Sequence, residues 1–376
     1  MDYILMADWH FMGLALRELR GILGVERLRI PRRLSESVII VDIDRSRDEM
    51  AGLMDAARPT FIDMLLPLLA TAKADGYESI AGALAKVLDK NTTFRIEAMR
   101  MGSVVEDKAK SVEVRLGNML EEQGFHADMD DPKCMAYLVL FRNDALVSRV
   151  DGKPAIMDWF RAFNRMRYDA INRSELKLDE AVGYFSVDMD GAGTCLDIGA
   201  APGGWTDYLA KRGRHVVAVD SAMLDYKRLC RYGSIVVAVE NNAEDAAALL
   251  SKIDSNIFAT AIGGAKKACD AYQPAVLHLK SAMNGAALDA LDGLGPFGMV
   301  TMDANVAPDT ACAIMDSVAR FAEPGSALIM TIKLVDKKIE ERIKYVKEAI
   351  SSDYGSIAVK KLPHNRMEVT LFARRR

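Results

Sequence analysis

The stretch Cys195-Leu-Asp-Ile-Gly-Ala-Ala-Pro-Gly-Gly-Trp205 joins a short apolar run to a glycine-rich turn and then to the start of a helical pattern. Residues 194–198 have the composition of a buried strand, and residues 205–212 carry apolar side chains at helical spacing. Glycines let the backbone approach a ligand closely, and the start of a helix offers unpaired N–H groups. The stretch therefore predicts an α/β domain with a ligand site at this turn.

The alternation of strands and helices continues along the C-terminal half. Further strands are predicted at residues 216–219, 234–239, 275–279, 299–302 and 327–332, and helices at 243–253, 309–322 and 336–351. The last two strands, at 357–359 and 369–372, flank a short Pro-His-Asn turn and are predicted to be antiparallel. The pattern indicates a Rossmann-like, doubly wound, seven-stranded and mostly parallel sheet with one antiparallel edge strand. Residues 234–239 are an extra element without a place in this plan.

The N-terminal half reads as a separate α+β region. Strands are predicted at 3–8, 37–43, 93–99 and 134–141, and helices at 12–23 and 104–123. Residues 45–90 read as mostly helical, with breaks at Pro59 and near Gly76, and Asn143-Asp144 reads as a turn. Because Asp151-Gly-Lys-Pro154 has the composition of a linker, we predict domains at 1–150 and 171–376, joined by a basic and aromatic segment at 151–170.

Composition limits the class of protein. A chain of 376 residues with 50% hydrophobic and 27% charged residues is long enough for two globular domains, and it contains no apolar run of membrane-spanning length. We expect a cytoplasmic protein. The five cysteines are scattered and form no C-x-x-C pair, which argues against disulfides and against a metal site. With a net charge of −4, any binding of nucleic acid must come from local basic patches.

Two details of the glycine-rich turn favour a nucleoside ligand with a cationic group over a dinucleotide. Ala201 and Pro202 stand where the dinucleotide pattern requires a glycine, and Asp197 would repel a pyrophosphate. Asp220, at the end of the second strand, is placed to accept hydrogen bonds from ribose hydroxyls. The candidate cofactor-binding residues here are Asp197, Gly199, Ala201, Pro202, Gly203, Gly204, Trp205 and Asp220.

The segment Asp197–Trp205 resembles the cofactor loop of the FtsJ-type ribose 2'-O-methyltransferases, a branch of the Rossmann-like methyltransferases that use S-adenosylmethionine. That family carries a Lys-Asp-Lys-Glu tetrad. The resemblance implies its members here in chain order: Lys177 before the first strand, Asp303 after the fourth, Lys333 ending the fifth and Glu368 opening the last. It covers residues 172–372 and also implies that Asp303 contacts the cofactor.

The topology makes this tetrad chemically reasonable, because the ends of parallel strands and the start of an antiparallel one meet at the same rim of a sheet. A ribose hydroxyl is a weak acid, so a base must remove its proton. We hypothesise that Lys333 is this base and that burial and the neighbouring Lys177 help to lower its pKa. Asp303 and Glu368 would orient the two ammonium groups, but their charges oppose this depression, so the direction of the pKa shift depends on the distances in the site.

One part of the resemblance is incomplete. The family would place an aspartate after the third strand to contact adenine, but Lys280, Ser281 and Ala282 stand there, so we predict that Ser281 or backbone groups take its place. We predict that His278, inside that strand, is a packing residue. Asp303-Ala-Asn-Val lacks the motif typical of enzymes that methylate exocyclic base nitrogens, which favours an oxygen acceptor.

Residues 90–150 resemble a THUMP domain, an RNA-binding module, through Asn91–Glu97, Val112–Leu120 and Asp128–Lys133. Residues 1–45 are interpreted as a ferredoxin-like lead-in, and the helical stretch 50–90 is assigned to the THUMP module. The combination with an FtsJ-type domain is similar to the RlmM family, which acts on ribosomal RNA. Residues 153–177 hold six basic residues against three acidic ones, and the RNA-binding candidates are Arg161, Arg165, Arg167 and Arg173. The aromatic residues of this segment are predicted to be core.

Three alternatives stay open at this stage. The acceptor can be a transfer RNA or a base instead of a ribose in ribosomal RNA. The chain can also be a non-catalytic RNA-binding assembly protein, although a complete tetrad disfavours that. A dinucleotide-dependent oxidoreductase is disfavoured by Asp197 and Pro202.

Overall fold

A computed structural model describes residues 1–151, 173–230, 236–240, 258–262, 275–334 and 338–376. The chain divides into two compact units, of which the described residues up to 151 belong to the first and those from 173 onward to the second. The predicted helix 243–253 lies outside the described residues, as does most of the predicted linker.

The first unit begins with a ferredoxin-like βαββαβ arrangement. Its elements are β1 (Asp2–Met6), α1 (Met12–Leu23), β2 (Arg29–Arg33), β3 (Val38–Asp42), α2 (Arg47–Ala57) and β4 (Met64–Pro67). The antiparallel sheet has the order β2-β3-β1-β4, so β1 pairs with both β3 and β4. A capping box starts α2, in which Ser46 and Glu49 each accept the other's backbone N–H.

The prediction that residues 45–90 are mostly helical is wrong for residues 64–73. Met64–Pro67 forms β4 of the ferredoxin-like sheet, so that sheet extends well beyond residue 45. Ala70–Lys73 forms β5, which pairs with a strand of the next sheet. Four-residue runs are too short to show a strand or helix period, and their pairing partners lie far away in the chain. The exposed strand β2 was also not predicted.

A second sheet completes the first unit. After β5 come α3 (Tyr77–Ala85), β6 (Phe94–Met101), α4 (Ala109–Glu122), β7 (Cys134–Phe141) and β8 (Asp144–Asp151), in the order β5-β8-β7-β6. β6 and β7 are parallel, and β7 and β8 form an antiparallel hairpin. The hairpin turn lies at Arg142 and Asn143, one residue before the predicted turn, and β8 continues as far as Asp151. The predicted domain boundary near residue 150 stays a prediction.

The second unit is built around a sheet of nine described strands. They are β9 (Thr194–Ile198), β10 (His215–Val219), β11 (Val236–Glu240), β12 (Phe258–Ile262), β13 (Val276–Leu279), β14 (Phe297–Met302), β15 (Ala322–Lys333), β16 (Tyr354–Lys360) and β17 (Glu368–Arg375). The described helices are α5 (Arg173–Tyr184), α6 (Gly204–Ala210), α7 (Tyr226–Leu229), α8 (Gly285–Leu291), α9 (Pro308–Val318) and α10 (Ile339–Ala349).

The strand order is β12-β11-β13-β10-β9-β14-β15-β17-β16, and β17 runs antiparallel to both of its neighbours. Two details of the predicted sheet are therefore wrong: the edge position of the reversed strand, and the number of strands, which is nine among the described residues instead of seven. The reversed strand β17 is second from the edge, because β16 pairs along its outer side. The extra element is β11, which pairs in parallel with β13, and the unpredicted β12 pairs outside it. These corrections leave β9 in the middle of the sheet, with its carboxyl end at the glycine-rich turn.

Among the described residues, no helix is long and apolar enough to cross a membrane. Within the described residues, no cluster of three or more His, Cys, Asp or Glu side chains is arranged to hold a metal ion.

Glu18 of α1 holds the segment that leads into β4. Its two carboxylate oxygens accept the backbone N–H groups of Thr60 and Phe61, at 2.8 and 2.7 Å. We expect Glu18→Ala to lower the free energy of unfolding of the first unit by about 2 kcal/mol or more, since two part-buried donors lose their acceptors. Urea unfolding followed by circular dichroism measures this, with the exposed Glu26→Ala as the control. Equal transition midpoints for the two variants would contradict the assignment.

Candidate active site

The loop between β9 and α6 passes very close to the loop that follows β14. Gly199 has a φ of 72°, and a Cβ atom there would lie 2.6 Å from Ala304 Cα. Gly203 has a φ of 114°, which also favours glycine. The two glycines are therefore required by backbone geometry, and they bring the predicted cofactor loop against the residue that follows Asp303.

Asp197 lies beneath this loop and has no exposed surface. Its carboxyl group accepts hydrogen bonds from Thr206 Oγ1 of α6 at 2.7 Å and from Thr301 Oγ1 of β14 at 2.9 Å. Full burial raises the pKa of Asp197 to about 7, even though the two threonines act to lower it. Asp197 therefore links β9, α6 and β14, and its predicted contact with the cofactor stays a prediction.

Asp220 follows β10 and is only partly buried. One of its carboxylate oxygens accepts the N–H of Ala201 in the glycine-rich loop, at 3.0 Å, and the other accepts the N–H of Ala222. His278 confirms its prediction as a packing residue, because it is fully buried and its Nε2 donates to the backbone carbonyl of Asp220. Burial lowers the pKa of His278 to about 4, so the ring is neutral and its Nδ1 accepts from Tyr226 Oη.

The four members of the predicted tetrad meet in one closed ring. Lys177 Nζ lies 2.5 Å from Asp303 Oδ2 and 2.9 Å from Glu368 Oε1. Lys333 Nζ lies 2.9 Å from Asp303 Oδ1 and 2.5 Å from Glu368 Oε2. Each ammonium group thus contacts both carboxylates. The side chains are 8 to 14% exposed, so the ring is nearly enclosed but still reaches solvent.

The charges of the ring stabilise each other. Burial acts to raise the pKa of Asp303 and of Glu368, but the two lysines outweigh it and hold both values below the ordinary range. Burial acts to lower the pKa of Lys333, but Asp303 and Glu368 outweigh it and the net pKa is raised. The predicted depression of this pKa is therefore wrong for the structure, since two carboxylates within 3 Å dominate over burial and a neighbouring cation.

Two hydroxyl groups that the sequence reasoning missed complete the environment of Asp303. Ser174 Oγ donates to Asp303 Oδ2 at 2.5 Å, and Thr331 Oγ1 donates to Asp303 Oδ1 at 2.8 Å. Both could have been found from spacing, because Ser174 precedes Lys177 by one helical turn and Thr331 precedes Lys333 by two strand positions. Trp205 is buried, and its Nε1 donates to the carbonyl of Ser174 at 2.6 Å, which joins the glycine-rich loop to the ring.

The remaining candidates lie as follows. Ala201 is partly buried, Pro202 is exposed and Gly204 begins α6. Ser281 follows β13, which pairs with β10 so that Leu279 lies opposite Val219, and its Oγ donates to the carbonyl of Ala282. Arg173 is exposed at the start of α5, next to Ser174. Three of the predicted RNA contacts lie outside the described residues: Arg161, Arg165 and Arg167.

Comparison with known proteins finds a family match within the second unit. Residues 170–340 match the family of FtsJ-like methyltransferases. The chain is similar to a ribosomal RNA large subunit methyltransferase M of Shewanella frigidimarina, 46% identical over 17% of this chain and 19% of the relative. It is also similar to the protein of that name from Pseudomonas syringae pv. syringae, 32% identical over 32% of this chain and 36% of the relative.

These alignments span only about a fifth to a third of the length of the two relatives. Among solved structures, TrmN from Thermus thermophilus covers all of this chain and of its own, with 15% identity and a TM-score of 0.36, a similarity too low to support an argument.

The raised pKa of Asp197 predicts how stability depends on pH. The group binds its proton more tightly when folded than when unfolded, so its contribution is complete below pH 4 and is lost as the pH rises through about 7. In Asp197→Asn the amide oxygen can accept from one threonine hydroxyl and the amide nitrogen can donate to the other, and the side chain does not titrate. We expect the stability of the wild type relative to this variant to fall on the order of 3 to 4 kcal/mol between pH 4 and pH 8.

Urea unfolding at four pH values measures this difference. Comparing the two proteins cancels the effect of His278, because that residue titrates in both. A difference that is independent of pH would mean that Asp197 is ionised in the folded protein.

Proposed function

We propose that the second unit, which contains an FtsJ-like methyltransferase domain, methylates a ribose 2'-hydroxyl in structured RNA with S-adenosylmethionine as the donor. The observation that carries the proposal is the closed ring of Lys177, Asp303, Lys333 and Glu368. A ring of two ammonium and two carboxylate groups at a sheet rim can hold a hydroxyl group, and a lysine of the ring that has lost its proton can accept the proton of that hydroxyl.

The residues around the glycine-rich loop fit this donor. The partly exposed carboxylate of Asp220 is a suitable acceptor for ribose hydroxyls, and residues 199–205 contain no basic side chain for a pyrophosphate. Gly199, Gly203 and Gly204 would hold the donor through backbone contacts, and Ser281 or nearby backbone groups would contact its adenine. When bound, the donor supplies an electrophilic methyl group on a sulfonium.

In this mechanism Lys333 first loses a proton to solvent, and its neutral amine then accepts the proton of the hydroxyl as the hydroxyl oxygen takes the methyl group from the sulfonium. Its Nζ shares both carboxylates of the ring with Lys177, so Asp303 and Glu368 set its position and keep it charged while the site is open. A bound RNA that covers the remaining exposed edge of the ring removes water, and burial lowers the pKa of a lysine. Lys177 orients the same two carboxylates from the opposite side.

Ribosomal RNA is the acceptor that the relatives favour, because two of them carry the name ribosomal RNA large subunit methyltransferase M. We extend that acceptor to this chain as a proposal. The exposed Arg173 directly precedes Ser174, which donates to Asp303, and this position supports a contact of Arg173 with an RNA phosphate. We also propose that Arg161, Arg165 and Arg167 contact RNA phosphates.

The first unit is proposed to bind the same RNA outside the catalytic site. The segments that resemble a THUMP domain form β6, the middle of α4 and the approach to β7, which lie together in one sheet-and-helix layer. Arg115 of α4 stacks on the ring of Tyr77 in α3, with 4.1 Å between the guanidinium carbon and the ring centroid. This pair presents a planar cation from a fixed position, which suits contact with phosphate or base.

Incubation with labelled S-adenosylmethionine and unmodified ribosomal RNA tests the acceptor. We expect the label in a 2'-O-methylated nucleoside after digestion and chromatography. Label on a base would show that the acceptor assignment is wrong, and label only in transfer RNA would overturn the choice of ribosomal RNA.

Lys333→Met should reduce the methylation rate by at least about a hundredfold, since a general base is removed. Isothermal titration should show S-adenosylmethionine binding within about threefold of wild type, because the thioether fills the space of the lysine stem. Since the pKa of Lys333 in the open site is raised above its ordinary value, kcat/KM should rise about tenfold per pH unit between about pH 7 and 9. A flat profile over this range would exclude Lys333 as the base.

A further inference from the structure

The turn between β16 and β17 is unusually polar and yet buried. Lys361 Nζ donates to the carbonyl of Asn365 at 2.7 Å, and Asn365 Oδ1 accepts from Leu362 N and from Thr370 Oγ1. Lys361, Leu362 and Asn365 are each at most 3% exposed. Such a network of internal hydrogen bonds holds the turn in one conformation.

A buried pair joins this turn to the helix that carries Lys177. His364 donates its backbone N–H to Glu180 Oε2 at 3.0 Å, and its Nδ1 lies 2.5 Å from Glu180 Oε1. Glu180 follows Lys177 by three residues on α5, and Glu368 follows His364 by four residues. The pair therefore fixes the turn relative to both sides of the ring.

Only two side chains between Lys360 and Glu368 are exposed, and they stand immediately before the ring residue Glu368. They are Arg366 and Met367, the latter 48% exposed. The carbonyl of Met367 accepts the N–H of Leu334 at 2.8 Å, which places Met367 directly beside the end of β15 and Lys333. A rigid turn thus presents one cation and one apolar side chain at the edge of the ring.

We propose that Arg366 and Met367 form the binding site for the target nucleotide, with Arg366 on a phosphate and Met367 against the base. This inference rests on the proposed function, because it assumes that the ring receives an RNA ribose. The site supplies the contacts that hold the acceptor over Lys333.

Charge and chemistry favour RNA as the occupant. The ring pairs two cations with two carboxylates, so it provides little net attraction for a polyanion. Arg366 is exposed and forms no ion pair within the described part of the chain, so its guanidinium is available to a phosphate. Methionine is flexible and polarisable and packs well on flat aromatic surfaces such as a base.

The test uses the full chain with an in-vitro transcript of large-subunit ribosomal RNA. We expect Arg366→Gln to raise the KM for this RNA by about tenfold and to reduce the slope of log KM against log salt by about one. The affinity for S-adenosylmethionine should stay unchanged. Met367→Ala should raise the KM for RNA about threefold to fivefold, because apolar contact area with the base is lost.

Matched controls separate a nucleotide site from a general effect of charge. Arg320→Gln removes an exposed arginine at the opposite rim, just before β15, and should behave as wild type. Arg366→Lys should keep most of the affinity, since a phosphate contact needs a cation. An Arg366→Gln enzyme with a wild-type KM and salt slope would overturn the proposal, as would an equal loss in Arg320→Gln.

Failure of the proposed function gives a different result. A wild-type enzyme that transfers no methyl group to the transcript contradicts the choice of ribosomal RNA. In that case, filter binding of the same transcript with Arg366→Gln and Arg320→Gln still tests the contact, and equal affinities of the two variants would overturn it.

Discussion

The carboxylate of Asp303 joins the elements of the second unit that form the ring. It accepts Ser174 and Lys177 from α5 and Thr331 and Lys333 from β15, so four donors share two oxygens. A carboxylate removed from water is costly unless charged and hydrogen-bonded partners surround it, and Asp303 meets that condition fully. Because these partners come from the helix before the sheet and from a strand within it, the ring forms only when both are in place.

The same need for charged partners explains how four ionised groups can stay together in a nearly buried site. Two ammonium and two carboxylate groups balance in charge, so the cluster tolerates near-complete burial. Removing one member would leave the others uncompensated in a poorly solvated site, which makes the four groups act as a unit. The lysines hold the pKa values of both carboxyl groups low, and the carboxylates raise that of Lys333. A change in solvent exposure or a new cation at the rim therefore changes the pKa of Lys333 directly.

The glycine-rich loop and the ring are joined through the backbone and through side chains. Gly199 lies against Ala304, the neighbour of Asp303, and Trp205 donates to the carbonyl of Ser174. Asp197 ties the strand before the loop to α6 and β14 from below. The position of the loop is thus coupled to that of the Asp303 carboxylate, and a mutation in either one is expected to affect both.

Local sequence patterns were sufficient to predict several features of this protein. The strand at 194–198, the glycines after it and the packing role of His278 followed from local composition and spacing, whereas the four ring residues came from the resemblance to the FtsJ-type methyltransferases. Long-range pairing decided what local patterns could not show: β4 and β5 as strands, the position of β17 and the sites of β11 and β12. The direction of the Lys333 pKa shift depended on distances within the ring. Nearby carboxylates raise the pKa of a lysine and burial lowers it, so the distance between the charged groups determines which effect is larger.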